Sequence, residues 1–202
     1  MKLYYAPGVC SLSPHIVLRE AGLDFELVKA DIRAHKLEDG SDFNAVNPKG
    51  YVPVLELDNG ERLTEGPTIV QYIADQAPAS QLVPPPGTMA RYHQQEWLGF
   101  INSELHKVFG PLWKPTTPEE YKEISRNQLA TRFDWLVTQL EGKQYLTGDG
   151  FTAADAYLFT ILSWTRPLKI DMARWPVLTD YMARVAARPK VQEALRAEGL
   201  LK

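Results

Sequence analysis

Residues 51–66 read YVPVLELDNGERLTEG. The stretch predicts a strand, a turn at Asn59-Gly60 and a second short strand. Asn-Gly readily takes the positive φ angles that a tight hairpin turn demands. GPTIVQYIADQAP follows at once, with Pro67 in the first turn of a helix. Proline is tolerated there because a first-turn N–H has no intrahelical partner to lose. The hairpin and its helix therefore form a β-β-α unit.

Upstream, KLYY reads as a strand, SPHIVLREAG as a helix stopped by Gly22, and FELVKAD as a second strand. DFNAVNPKG links the two halves as a short helix ending in a turn, punctuated by Asn47, Pro48 and Gly50. The first 78 residues thus run β-α-β, connecting helix, β-β-α. Residues 79–87 close a proline-rich stretch, PASQLVPPPG, that sustains neither helix nor ladder hydrogen bonds and reads as a linker.

Everything from 88 to 202 is predicted helical. MARYHQQEWLGFINSELHKVFGPLW is one long amphipathic segment, with a core stripe of Ile101, Leu105, Val108 and Leu112. Gly99, Ser103 and His106 fall on the neighbouring stripe, which the spacing allows to be a cleft lining or a solvated face. TPEEYKEISRNQLATRFDWLVTQLEG opens with Thr117 as the expected N-cap, Pro118 at the first position and Glu120 closing a capping box. FTAADAYLFTILSW is nearly apolar throughout and belongs inside the helical domain, with Thr152 and Asp155 as a capping box at its start. Asp155 is expected to be a folding device rather than a catalytic acid.

With 202 residues, 45% of them hydrophobic, the chain has material for one large or two small cores. Its formal charge of −3 argues against nucleic acid as a partner. No apolar run approaches a membrane span, and the first residues lack the pattern of a leader, so a cytoplasmic protein without membrane attachment is expected. Cys10 is the one cysteine, and Ser13 stands where a second thiol of a CxxC pair would be. Cys10 lies between a strand and a helix, where helix amides stabilise a thiolate.

The β-α-β then β-β-α order joined to an all-helical half resembles a cytosolic glutathione transferase: an α/β thioredoxin-like domain followed by an all-α helical-bundle domain. YYAPGVCSLSPHI, VNPKGYVPVL, LTEGPTIVQYIAD, SELHK and FTAADAYLF, in that order and spacing, resemble the motifs of the bacterial beta class. The resemblance implies glutathione as co-substrate, no metal, a homodimer and conjugation of glutathione to small hydrophobic electrophiles. It implies that Cys10 lies beside the glutathione sulfur, close enough for a mixed disulfide, and that His106 approaches the same atom. Tyr5 and Ser11 are further hydroxyl donors to it.

The same resemblance places Glu65 on the glutathione ammonium and the Gly66 helix start on its carboxylate. Free amides at a helix N-terminus favour an anion. Val52 is expected to pair through its backbone, turned by a cis Pro53, in the manner of an added strand. Gly99, Ser103, Glu104 and Lys107 complete the binding set, Glu104 toward the other subunit's site. His35 departs from the family, which usually has lysine there for the glycyl carboxylate. A histidine is mostly neutral at pH 7, so binding through His35 is expected to tighten as pH falls from about 7.5 to 6, with Lys36 as the alternative partner. His15 and His93 are read as structural or surface residues.

Two other activities are open at this point. One is glutathione-dependent thiol–disulfide exchange through Cys10. The other is a non-catalytic carrier of hydrophobic ligands, with Phe109, Trp113 and Trp164 as apolar surface.

Overall fold

The computed structural model describes residues 1–201 and divides the chain into two compact units. The first contains Met1–Val83 and the chain from Ala187 onward; the second is Pro84–Ala186.

The first unit is built on a five-stranded sheet, β1 (Lys2–Tyr5), β2 (Glu26–Asp31), β3 (Lys36–Leu37), β4 (Val54–Glu56) and β5 (Arg62–Thr64), in the order β3-β2-β1-β4-β5. β1 and β2 run parallel, with Leu3 opposite Leu27, and the other pairs are antiparallel. A parallel pair needs a crossover, and α1 (Leu12–Ala21) supplies it, ending at Gly22 in the left-handed conformation. Leu3, Tyr4 and Tyr5 are all buried, so the central strand is covered on both faces. α2 (Gly66–Gln76) packs on α1 and buries Ile69, Val70, Ile73 and Ala74. A second cluster joins Tyr4, Ala30, Val52 and Val54 to Phe43, from the 3-10 turn Phe43–Ala45 in the connecting segment. The two-residue strand β3 has no counterpart in the sequence reading.

Residues 187–201, grouped by sequence with the helical half, pack instead in the first unit. The reason is a set of polar contacts from α8 (Pro189–Ala197) and the turn after it to α1. Arg188 donates two hydrogen bonds to the Glu20 carboxylate, at 2.7 and 2.8 Å. Glu198, fully buried, lies 2.8 Å from His15 Nδ1, and Arg19 donates to His15 Nε2 at 2.8 Å. Its other oxygen accepts the Gly8 N–H at 2.8 Å.

The second unit contains α3 (Met89–Phe100), α4 (Lys107–Trp113), α5 (Glu119–Leu140), α6 (Ala153–Leu162) and α7 (Pro176–Ala186). Every residue of α6 is buried, as its apolar sequence predicts. The Thr152–Asp155 capping box is present. The one predicted at Thr117 is not: α5 starts at Glu119, and Pro118 takes the N-cap with an extended ψ of 143°. The ring of Pro118 disfavours helical geometry at Thr117, which leaves Glu119 and Glu120 to favour the helix dipole.

Candidate active site

Cys10 lies in the turn between β1 and α1, half-buried, with its thiol donating to the Val52 carbonyl at 3.2 Å. That turn is held from several sides. Ser11 Oγ donates to the Ala6 carbonyl and accepts the Ala6 N–H, both at 3.1 Å. Ser13 Oγ donates to the Cys10 carbonyl at 2.9 Å. Ser11 is fully buried, so its hydroxyl serves the turn. Tyr5 is buried beside His15, with ring centroids 6.2 Å apart. Burial pushes its phenol pKa up, and the Glu198 charge adds to that shift.

The Val52-Pro53 peptide is cis. It ends a loop in which Asn47, almost fully buried, donates to the Tyr51 carbonyl at 2.6 Å and accepts the Lys49 N–H at 3.2 Å. Gly50 in this loop is required twice over. Its φ is +73°, and a Cβ there would come within 2.8 Å of His35 Cε1. His35 is thereby placed against the loop, exposed, with its own φ at +52° and its carbonyl accepting the Phe43 N–H at 2.8 Å. Lys36 begins β3, also exposed.

Glu65 is the N-cap of α2, yet its side chain makes no cap hydrogen bond. Its backbone sits at φ +71°, ψ 112°, which an L-residue rarely adopts. The carboxylate accepts from Lys49 Nζ at 2.7 Å and from the Tyr51 hydroxyl at 2.8 Å. Lys49 also donates to Thr64 Oγ1 at 2.9 Å. The hydrogen bond to Glu65 pushes the pKa values of both Lys49 and Tyr51 up, so each remains protonated above its ordinary range. Beside Glu65, a Cβ on Gly66 would meet nothing within 4 Å. The arrangement offers a carboxylate for a ligand ammonium and a helix start for a ligand carboxylate. Sequence reading missed Lys49 and Tyr51, and the punctuation around Gly50 was the feature that marked their loop.

In the second unit, the long helix is interrupted by a π turn at Ile101–His106, with the Lys107 N–H bonding back to the Asn102 carbonyl. Gly99 and Ser103 are exposed, Ser103 Oγ donating to the Gly99 carbonyl at 3.1 Å. His106 and Asn102 are both hydrogen-bonded to Tyr157. The His106 ring packs on Trp164 at 4.9 Å, and Trp164 also meets Phe109 and Trp113. Glu104 accepts from Arg132 Nε and Nη2 at 2.9 and 2.6 Å, and Lys107 is exposed. Of the remaining histidines, His15 is buried and structural, and His93 is on the surface beside Glu96.

Among the described residues, no group of three or more His, Cys, Asp or Glu side chains is placed to hold a metal, and no helix is long and apolar enough to cross a membrane.

Residues 9–76 match the family described as glutathione S-transferase, N-terminal domain, and residues 100–189 match glutathione S-transferase, C-terminal domain. The chain is 50% identical to glutathione S-transferase GstA of Escherichia coli O157:H7, over 99% of this chain and all of that protein. It is similar to the structure of a sphingomonad glutathione S-transferase complexed with glutathione, at 48% identity and a TM-score of 0.95, covering 99% of this chain and 100% of that one. It is also similar to a bacterial beta class glutathione S-transferase of Sphingomonas chungbukensis, at 46% identity and a TM-score of 0.96, with both chains fully covered.

Proposed function

The chain belongs to the glutathione S-transferase family and resembles its bacterial beta class, and from that premise we propose that it conjugates glutathione to small hydrophobic electrophiles, with Cys10 beside the reacting sulfur. The observation that carries this reading is the 3.2 Å contact between Cys10 Sγ and the Val52 carbonyl. It puts the thiol against the backbone edge that the cis Pro53 presents. Glutathione laid along Val52 as an added strand brings its own thiol next to Cys10. Glu65 and the Gly66 helix start take the γ-glutamyl end, and His35, packed at Gly50, takes the glycyl carboxylate, with Lys36 nearby.

His106 is the group we assign to accept the glutathione thiol proton, with Trp113 as apolar surface for the electrophile; Phe109 and Trp164, expected beside it, are buried and serve as its backing. Acidity alone gains little. Lowering a thiol pKa from about 8.5 by ~2 units raises the thiolate fraction about 25-fold at pH 7, while nucleophilicity falls roughly tenfold. Holding the thiolate against a bound electrophile supplies the rest. Gly99, Ser103, Glu104 and Lys107 remain in the binding set, Glu104 offered by Arg132 to the site of a second copy. The open groove of about 750 Å³ lined by Trp97, Phe100 and Trp135 supports a homodimer, because Trp135 is 41% exposed. We place the protein in the cytoplasm.

A second reading, thiol–disulfide exchange, is favoured by the half-buried Cys10 having no second cysteine in the chain. Glutathione then serves as the resolving thiol. Assays of Cys10→Ala separate the two. Exchange with a mixed-disulfide substrate is expected to vanish while conjugation to a chlorodinitrobenzene is partly kept. Full retention of exchange would remove Cys10 from that chemistry, and no turnover in either assay with apolar dyes still bound would make the protein a carrier.

A further inference from the structure

His106 does not stand alone in its helix. Its Nδ1 lies 2.7 Å from the Tyr157 hydroxyl, and that hydroxyl donates to Asn102 Oδ1 at 3.0 Å. A phenol has a single proton. With that proton given to Asn102, the 2.7 Å contact has one polarity: the imidazole N–H donates and the phenol oxygen accepts. A neutral imidazole carries one N–H, so Nδ1–H leaves Nε2 as the lone-pair atom.

The geometry is anchored on both sides. Tyr157 is 1% exposed and sits on the fully buried helix α6. The His106 plane is held edge-on against Trp164, at 69° and 4.9 Å. Helical spacing supplies the remaining condition. Asn102 and His106, four residues apart, share one face and meet one tyrosine, within a π turn of the kind that recurs at functional positions in helices.

We propose that Tyr157 and Asn102 are positioning residues that fix His106 as its Nδ1–H tautomer, making Nε2 the atom that accepts the glutathione thiol proton. The proposal rests on the reading of His106 as that acceptor. In the step it serves, the S–H bond breaks and the proton passes to Nε2. The thiolate electron pair forms the S–C bond to a ring carbon of chlorodinitrobenzene, and chloride leaves with the C–Cl pair. The imidazolium then returns its proton to water. The opposite tautomer presents an N–H to the thiol and cannot take its proton.

Nitrogen–proton correlation spectra of histidine-labelled protein read the tautomer without reference to activity, with His106→Gln assigning the signal. In the wild type, Nδ1 is expected to be protonated and Nε2 bare. Tyr157→Phe, which keeps the ring, is expected to give a mixture of tautomers. It should also lower kcat for conjugation about tenfold or more, with KM for glutathione within about twofold, as expected for loss of an orienting group. Asn102→Asp keeps the acceptor and should preserve the wild-type tautomer, whereas Asn102→Leu should not. A bare Nδ1 in the wild-type spectrum, or a Tyr157→Phe protein unchanged in both readouts, would overturn the proposal. A His106→Gln protein with wild-type kcat would instead overturn the role of His106, while the tautomer assignment stood on its own spectrum.

Discussion

Helix α6 starts at Thr152–Asp155 with its acidic side chain fully engaged by the chain itself. The Asp155 carboxylate accepts from the amides of Leu146 and Thr152, both at 2.9 Å, from the Thr152 hydroxyl at 2.7 Å and from Tyr181 at 3.0 Å. Helix α2 starts at Glu65–Gly66, where the acidic side chain caps nothing, the backbone holds a positive φ and the partners are the exposed side chains of Lys49 and Tyr51. Both are acidic residues at helix starts. One is sealed with its donors inside the core; the other is held by groups that water or a ligand can replace. A helix N-terminus without a side-chain cap keeps amides that favour an anion, and here it begins at a residue in uncommon geometry.

The difference is tested most severely at Asp155. Burial pushes its carboxyl pKa up against the pull of its donors, and Tyr181 is raised well above the ordinary phenol value, so it stays a donor. Asp155→Ala takes the carboxylate from three donors outright and leaves Tyr181 only its longer bond to the Asp155 carbonyl, at 3.3 Å. Buried donors left unpaired cost about 1–3 kcal/mol each, so a loss of about 4 kcal/mol or more is expected in denaturant unfolding. That is a large share of a domain's usual 5–15 kcal/mol. A loss below about 1 kcal/mol would mean that α6 does not depend on its cap.

At Glu65 the signs separate. Glu65→Gln removes a charged partner worth about 1.5–3 kcal/mol, so glutathione affinity by calorimetry is expected to fall ten- to a hundredfold. Thermal stability should hardly change, because the lost contacts are exposed. Glu65→Gly should go further, losing affinity while gaining about 1 kcal/mol of stability by relieving the positive φ. A Glu65→Gly protein that is less stable than wild type would show that the Lys49–Tyr51–Glu65 cluster holds the fold, erasing the contrast with Asp155.

Sequence reading reached one of these helix starts more completely than the other, for a physical reason. A capping box spans four residues, so Thr152 and Asp155 declare it locally. The Asn59-Gly60 turn and the helical spacing of α1 are local in the same sense, and the strand and helix order followed from them. Glu65 was marked by resemblance, but its partners Lys49 and Tyr51 lie 16 and 14 residues away, across a loop whose shape depends on Gly50 and a cis peptide. His15 and Glu198 are 183 positions apart, and no periodicity connects them. The stripe through Gly99, Ser103 and His106 was counted at 3.6 residues per turn, and no spacing announces that this segment winds as a π turn. Thr117 failed because Pro118 left the helix one residue later than the capping pattern assumes.

A third carboxylate lies between the two extremes and sets the smallest test. Glu56 faces Arg62 across the β4–β5 pair, accepting from Arg62 Nε at 2.7 Å and from the Tyr4 hydroxyl at 3.3 Å. Arg62 in turn reaches the carbonyls of Ala45 and Val46, at 3.1 and 3.2 Å, and ties the connecting segment to the sheet edge. The Arg62 hydrogen bond holds the Glu56 carboxyl below its ordinary value. A carboxyl lowered in the folded state contributes stability that is fully present above its unfolded pKa of about 4.3 and is lost as pH falls through the folded value. Because Arg62 is 39% exposed, solvent screening limits the contribution to about 0.5 kcal/mol. Glu56→Gln should therefore lower stability slightly at pH 7 and make the acid limb of the stability profile shallower below pH ~4.5. If the acid limb kept its wild-type slope, the Arg62 link would count with the replaceable contacts at Glu65 rather than with the sealed ones at Asp155.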